Sequence, residues 1–503
     1  MRIIYFDIDT LRPDHLGCYG YGRNTSPNID RIAKEGVKFE NCYVSDSPCL
    51  PSRSAMFTGK FGIHTGVVNH GGTAADPYII GPKRAFNKVW GWGDNNNREH
   101  LTFVEALKEK ANFYTVSVSP FAERHAAWWF YAGFRQMFNS GKRGQTESAK
   151  EICADAMPWL EQNAKKDNWF LHINVWDPHG PYRTTKDERV DLGEIPQQTK
   201  WLTKELLKKH RESFGPHSAR ETMGVGDKEQ DKWYKESYPE IPLSIDSLDD
   251  FYKWIELYDQ GIRYADTYLG KILKILEENK VLEDTAIIIT SDHGENIGEL
   301  NMYDHAAADY ITNRVPFILK WPGLRSNKTD ISLHYQFDVA ATILELAGIK
   351  IPNRWDGKSF SKSLLKNKSE GREFLVVSNC AWTCQRSVIS KDWIMIKTYH
   401  EALRDLPEIM LFNIKEDPHE INNLASKNPQ LVNKYLKLLE QWHKDMVDSS
   451  DTKIDPMDTV LKEGGPFCTR YDAQKYANRL NKTGRKKHAQ KILAWLKEGK
   501  YWE

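Results

Sequence analysis

One short segment gathers the groups best suited to chemistry: Cys49-Leu50-Pro51-Ser52-Arg53-Ser54-Ala55-Met56-Phe57-Thr58-Gly59. Its proline, two residues after the cysteine, predicts that Cys49 opens a helix. At that position the positive end of the helix and the Arg53 guanidinium would both favour a thiolate. The same pair would hold an anionic substrate. Three apolar, β-rich runs end on further reactive types. Residues 3–6 lead to Asp7 and Asp9, residues 170–176 to Asp177-Pro178-His179, and residues 286–290 to Ser291-Asp292-His293.

Short continuous apolar strands of this kind suit a sheet covered on both faces. Between them, Ile255, Tyr258, Ile262, Ala265, Leu269, Ile272 and Leu276 recur at three- and four-residue steps and predict a helix over 252–278. Strands alternating with helices predict an α/β fold with a large doubly wound mixed sheet flanked by helices. Ligands gather beyond the carboxyl ends of such strands, where Asp9, His179 and Asp292 would meet. Residues 183–250 are polar and weakly periodic, which predicts an insertion bordering the cleft. From about residue 373 the pattern changes to short strands at 374–378, 387–389, 393–398 and 410–414, then a helix over 428–446. This predicts a catalytic α/β domain over 1–372 and a C-terminal subdomain over 373–503, with a smaller antiparallel sheet and a helical tail. The tail segment 489–496 predicts a helix docked on its own protein, the alternative being a basic amphipathic helix on a membrane.

Charge and composition exclude several classes. The 503 residues hold 70 Lys and Arg against 69 Asp and Glu, so nothing argues for nucleic acid or a charged membrane surface. No apolar run approaches the roughly 20 residues of a membrane span. Residues 1–7 enter a strand without a secretion leader, which predicts a cytoplasmic protein, a trimmed leader being the alternative. Seven cysteines (18, 42, 49, 153, 380, 384 and 468) form no C-x-x-C pair, and a reduced compartment is expected.

The string at 49–59 matches C-x-P-S-R-x-x-x-x-T-G and resembles the signature of the type I sulfatases, the formylglycine-dependent members of the alkaline phosphatase superfamily. The resemblance implies that Cys49 is oxidised to a formylglycine whose hydrate accepts the sulfuryl group. It also implies a partner, a formylglycine-generating or anaerobic sulfatase-maturating enzyme. The run from Asp7 to Gly20 resembles the family's opening strand and loop, in which a strand-tip carboxylate binds a divalent cation; Asp9 takes that place. Many members have a second acid next, where this chain has Thr10. Asp7 faces the same way as Asp9 and either supplies the missing charge or is hydrogen-bonded in the sheet. Ser291-Asp292-His293-Gly294-Glu295 resembles the second metal motif and implies Asp292 and His293 as ligands beside position 49. Oxygen donors suit calcium, the first expectation, or Mg²⁺; one imidazole moves preference towards Mn²⁺ or Zn²⁺.

Trp176 to Tyr182 resembles the segment whose histidine approaches the leaving oxygen, which implies His179 as proton donor. His305, thirteen residues after Asp292, falls where relatives place a Lys or His on the substrate anion, which implies sulfate binding or a share of the acid role. The family's G-K-x-H-x-G element is missing. Arg124 or His125 either substitutes for it or belongs to a solvated loop. Met410 to Leu424 is similar to the family's C-terminal stretch, and the resemblance covers about residues 1–445. Trp90, Trp92, Trp128 and Trp129, with Arg98, either stack on a sugar or sit in a core. The expected substrate is a sulfated saccharide or small molecule. The rivals are a phosphonate monoester hydrolase or phosphodiesterase on the same scaffold, and a sugar-binding relative that has lost catalysis.

Overall fold

The computed structural model describes residues 1–77, 102–139, 147–215, 232, 235–324, 327–366 and 370–500. β1 (Arg2–Ile8) shows why its sequence is apolar without alternation. Ile4, Phe6 and Ile8 enter one core, while Ile3 and Tyr5 enter a second core on the opposite face. β1 pairs in parallel with β6 (Trp169–Val175) and β7 (Thr285–Thr290). Beyond β6 lie β4 (Tyr114–Val118) and β5 (Gln136–Phe138), also parallel. Beyond β7, β8 (Phe317–Lys320) runs antiparallel to both β7 and β2 (Val37–Tyr43). β9 (Lys328–Tyr335) pairs in parallel with β2 at the edge, giving the order β5-β4-β6-β1-β7-β8-β2-β9.

Helices cover both faces. α1 (Pro27–Glu35), α4 (Ala149–Asn163) and α5 (Leu248–Glu278) fill the core that takes Ile4 and Phe6. α2 (Cys49–Thr58), α3 (Phe103–Lys110) and α6 (Asp338–Leu346) fill the other. Asp7 and Asp9 share the parity of Ile3 and Tyr5, so the pleat turns both carboxylates towards the α2 face. The predicted helix over 252–278 begins earlier, because Ser247 and Asp250 close a capping box that starts α5 at Leu248. Two buried acids of α5 then fix the chain after Asp9. Asp266 accepts from the backbone of Asn28 and Ile29 at the start of α1. Asp259 takes His15, Tyr21 and Arg23 at 2.6–2.8 Å.

The second sheet contains β10 (Leu375–Asn379), β11 (Cys384–Ile389), β12 (Trp393–His400) and β13 (Ile409–Asn413), paired antiparallel. Its edge is a strand the sequence does not announce. β3 (Asp46–Ser47), two residues long, pairs in parallel with β10 and leads directly into α2. α7 (Pro429–Ser449) packs on this sheet, and His64 ties it to the large sheet's helices, with Nδ1 2.7 Å from Asp356 and Nε2 3.0 Å from the Met446 carbonyl. In the tail, α8 (Ala473–Lys482) and α9 (Lys486–Lys497) bury Tyr476, Leu480 and Ile492 against Phe214 and Leu403, so the expected terminal helix is docked on its own protein. Among the described residues, no helix is long and apolar enough to cross a membrane.

Candidate active site

All ten residues of α2 are buried, and its first residue, Cys49, is 2 % exposed. Cys49 belongs to two clusters at once. Its Sγ and one ligand atom each from Asp9, Asp292 and His293 lie within 4.8 Å of one another, and the same holds for Cys49, His179 and His305. Position 49 therefore adjoins both a carboxylate–imidazole quartet and a pair of further imidazoles, the two groups meeting where His293 and His305 lie 4.3 Å apart between ring centres. His293 Nε2 is 3.1 Å from Sγ, while its Nδ1 faces the Gly294 carbonyl at 2.8 Å. Gly294 has a steric reason to be glycine: a Cβ there would lie 2.1 Å from the Ile311 carbonyl oxygen.

Arg53 does something the sequence does not suggest. Its Nε, Nη2 and Nη1 donate to Asp7, Asp9 and Asp292 at 2.9, 3.1 and 2.5 Å, all four side chains being fully buried. Ser52 Oγ donates to the Asp292 carbonyl, and Thr10 N donates to Asp292 Oδ1, locking the acid from two sides. Asp7 Oδ2 also lies 3.7 Å from His172 Nε2, and Arg53 with His172 holds that carboxyl below its usual range although burial pushes it up. Burial raises Asp9 and, more strongly, Asp292; Arg53 opposes this, and neighbouring carboxylates add to it.

The expectation of a thiolate at Cys49 needs correction. Burial raises the thiol well above its normal range, Asp9 and Asp292 raise it further, and Arg53 does not compensate because three carboxylates engage it. An unmodified Cys49 is a neutral thiol. The imidazoles also divide unequally. Burial pulls His305 down, but Glu295, 2.9 Å from its Nδ1, carries it up to about 9. His179, stacked on Trp176, is pushed well below its usual value, by burial first and then by the His305 charge. The charged form is thus favoured on His305 and disfavoured on His179.

The donor set fits a divalent cation. Three buried carboxylates and one guanidinium leave two uncompensated negative charges, which a divalent ion cancels. Asp9 Oδ1 is buried with no hydrogen-bond partner among the described residues, leaving its lone pairs for a ligand. Asp7 lies outside the quartet of possible ligands, with one oxygen given to Arg53 and His172.

Arg124 is almost wholly buried: Nη2 donates to Glu147 at 2.7 Å, and its guanidinium carbon lies 3.2 Å from the Trp176 ring centre. His125 neighbours His70, whose Nε2 faces the Leu50 amide at 3.5 Å. Trp129 is core and Trp128 is half exposed. Trp90, Trp92 and Arg98 lie outside the described residues. Sequence reasoning missed Glu295, His172, Glu147 and Arg183. Of these, Glu295 carries a sequence signal, as the last residue of the Ser291–Glu295 motif.

Fold and site set a buried helix-initial cysteine against a carboxylate–imidazole cluster that could hold a cation. The Sulfatase family model matches residues 2–349, and the model described as N-sulphoglucosamine sulphohydrolase, C-terminal, matches residues 298–449. The chain is 23% identical to the N-acetylglucosamine-6-O-sulfatase of Bacteroides thetaiotaomicron over 92% of this chain and 89% of that protein. It is 24% identical to an ulvan-active sulfatase of Formosa agariphila, over 85% of this chain and 77% of that one. The solved structure of BT4656 with its substrate D-glucosamine-2-N,6-O-disulfate superposes with a TM-score of 0.66 at 21% identity, covering 91% of this chain and 99% of that one. The phosphonate monoester hydrolase of Agrobacterium radiobacter gives 0.62 at 17% identity, covering 88% and 96%. The chain belongs to the sulfatase family. It is a sulfuric ester hydrolase.

Proposed function

We propose that the protein hydrolyses a sulfate ester of a saccharide, with a formylglycine made from Cys49 and a divalent cation held by Asp9, Asp292, His293 and position 49. The observation that carries this reading is the double membership of Cys49, which shares one cluster with Asp9, Asp292 and His293 and another with His179 and His305. When present, the cation draws charge from a sulfuryl oxygen and the aldehyde hydrate supplies the nucleophilic oxygen. The chain's own groups do the rest. Arg53 aligns the three carboxylates and, with His172, holds Asp7 ionised. Protonated His305, fixed by Glu295, holds a sulfuryl oxygen of the anion. His179, 5.3 Å away between ring centres, relays a proton to the departing alcohol.

Similarity to enzymes named for N-acetylglucosamine-6-sulfate and ulvan supports a saccharide. Calcium is the first candidate cation, Mg²⁺, Mn²⁺ and Zn²⁺ the alternatives. A formylglycine-generating or anaerobic sulfatase-maturating enzyme is the required partner. All seven cysteines are free, which fits a reducing, cytoplasmic setting. The test is a panel of sulfated monosaccharides, an aryl sulfate, phosphonate monoesters and phosphodiesters, given to enzyme co-produced with maturation machinery. The reading expects the highest kcat/KM on a sulfated sugar. A clear preference for phosphonate esters overturns it in favour of a phosphonate monoester hydrolase, an activity named for a protein of the same fold.

A further inference from the structure

Past His179 the site continues into a second basic region. His293 touches His305, His305 touches His179, His179 stacks on Trp176, and Arg124 lies over Trp176. Arg183, three residues into the chain after Gly180, is the next cation. Its Nη1 donates to the Glu147 carbonyl at 3.4 Å, and its Nε is 3.9 Å from Asp177 Oδ1. Arg124 follows β4 and Arg183 follows β6, so both arise at the carboxyl ends of strands, the end that holds the site. The side chains are 4 % and 7 % exposed.

These guanidinium groups are short of partners. Nε and Nη1 of Arg124, and Nε and Nη2 of Arg183, are buried and donate to no acceptor within hydrogen-bond distance among the described residues. Buried charged donors are rarely left this way, because the lost hydration is not replaced. Arg124 meets the fully buried Glu147 carboxylate, whereas Arg183 reaches only the Glu147 backbone carbonyl and lies 3.9 Å from the Asp177 carboxylate. A planar fork of N–H donors matches two oxygens of a carboxylate or sulfate. Arg124 and His179 both pack on the Trp176 ring, so the region adjoins the group to which the departing alcohol is assigned above and would meet an anion carried on that alcohol.

We propose that Arg124 and Arg183 form a subsite for a second anionic group, a carboxylate or a further sulfate, on the saccharide whose sulfate ester is cleaved. This rests on the saccharide sulfatase reading. It is tested with matured enzyme on matched sugars carrying one sulfate ester, one ester plus a ring carboxylate, and two sulfates. The wild type should favour a two-anion sugar by at least about tenfold in kcat/KM, the scale of a charge-assisted hydrogen-bond pair. Arg183→Gln should compress that ratio about tenfold, chiefly through KM, and Arg183→Lys should restore part of it. Comparing the carboxylate and disulfate arms identifies the anion. A wild type indifferent to the second anion overturns the proposal even if neither variant folds. So does an unchanged ratio in a variant whose thermal melting matches the wild type. Failure to hydrolyse any sulfate ester would instead defeat the sulfatase reading.

Discussion

Replacing Arg53 with methionine keeps much of its volume and removes the only cation touching Asp7, Asp9 and Asp292 among the described residues. Removing one partner of a buried ion pair costs about 3–5 kcal/mol. Three contacts break here, yet the cost does not triple. Asp9 and Asp292 are already pushed up by burial and can take protons, whereas Asp7 is the carboxylate held ionised by Arg53. Cation-free Arg53→Met should therefore lose about 3–5 kcal/mol of unfolding free energy, or about two to three and a half decades in the folding equilibrium. The assay is urea unfolding at neutral pH with a chelator, repeated with excess calcium, which should return part of the loss. Asp7 titrates below its ordinary value when folded, so its contribution is present above that value and disappears as pH falls through the folded one. The gap between wild type and variant should be widest at neutral pH and close below about pH 4. A loss under about 1 kcal/mol in chelator, or a gap that widens on acidification, would refute the reasoning.

Cys49→Ala should melt close to the wild type but lose about four or more decades of turnover, as expected for a lost nucleophile; near-normal hydrolysis would remove position 49 from the mechanism. Mass spectrometry of the peptide containing Cys49 should show thiol-to-aldehyde conversion, and a wholly unmodified peptide in active enzyme would contradict it. Glu295 holds His305 up to about 9, so a step that needs the His305 proton should fail as pH rises through about 9. Glu295→Gln should move that alkaline limb of kcat/KM down by about one to two pH units, and an unmoved limb would clear His305 of the role. Burial disfavours the His64 cation, but Asp356 overcomes it and raises the group. His64→Ala should thus cost about 1–3 kcal/mol below pH 6.5, shrinking as pH rises through the raised value. A constant difference across pH would assign the loss to packing alone.

The central strands were legible because burial on both faces leaves a continuous apolar run, and β1, β6 and β7 each end where the polarity changes. The stripe of α5 was legible for the matching reason on a helix, although its start depends on the Ser247–Asp250 cap. Position 49, Asp9, Asp292 and His293 come from motifs whose residues are local in sequence. Partnerships that span the chain left no such trace. Arg53 meets Asp292 across 239 residues, and Arg183 reaches the Glu147 carbonyl across 36. His172 sits mid-strand, where only the register beside β1 turns it to the Asp7 face. The two residues of β3 are too few to carry a period. The thiolate expectation failed because helix end and guanidinium were weighed without the three acids that consume the guanidinium.

β3 also imposes a timetable. Ser47 accepts from Asn379, 332 residues downstream, so the sheet edge just ahead of Cys49 cannot close until β10 has left the ribosome. At about 5–20 residues per second, synthesis holds that door open for roughly 17–66 s. Once shut, it leaves a cysteine that is 2 % exposed on a helix with every residue buried. The oxidation proposed for Cys49 would have its opportunity on the nascent chain, and a molecule that folds first would keep its thiol out of an enzyme's reach.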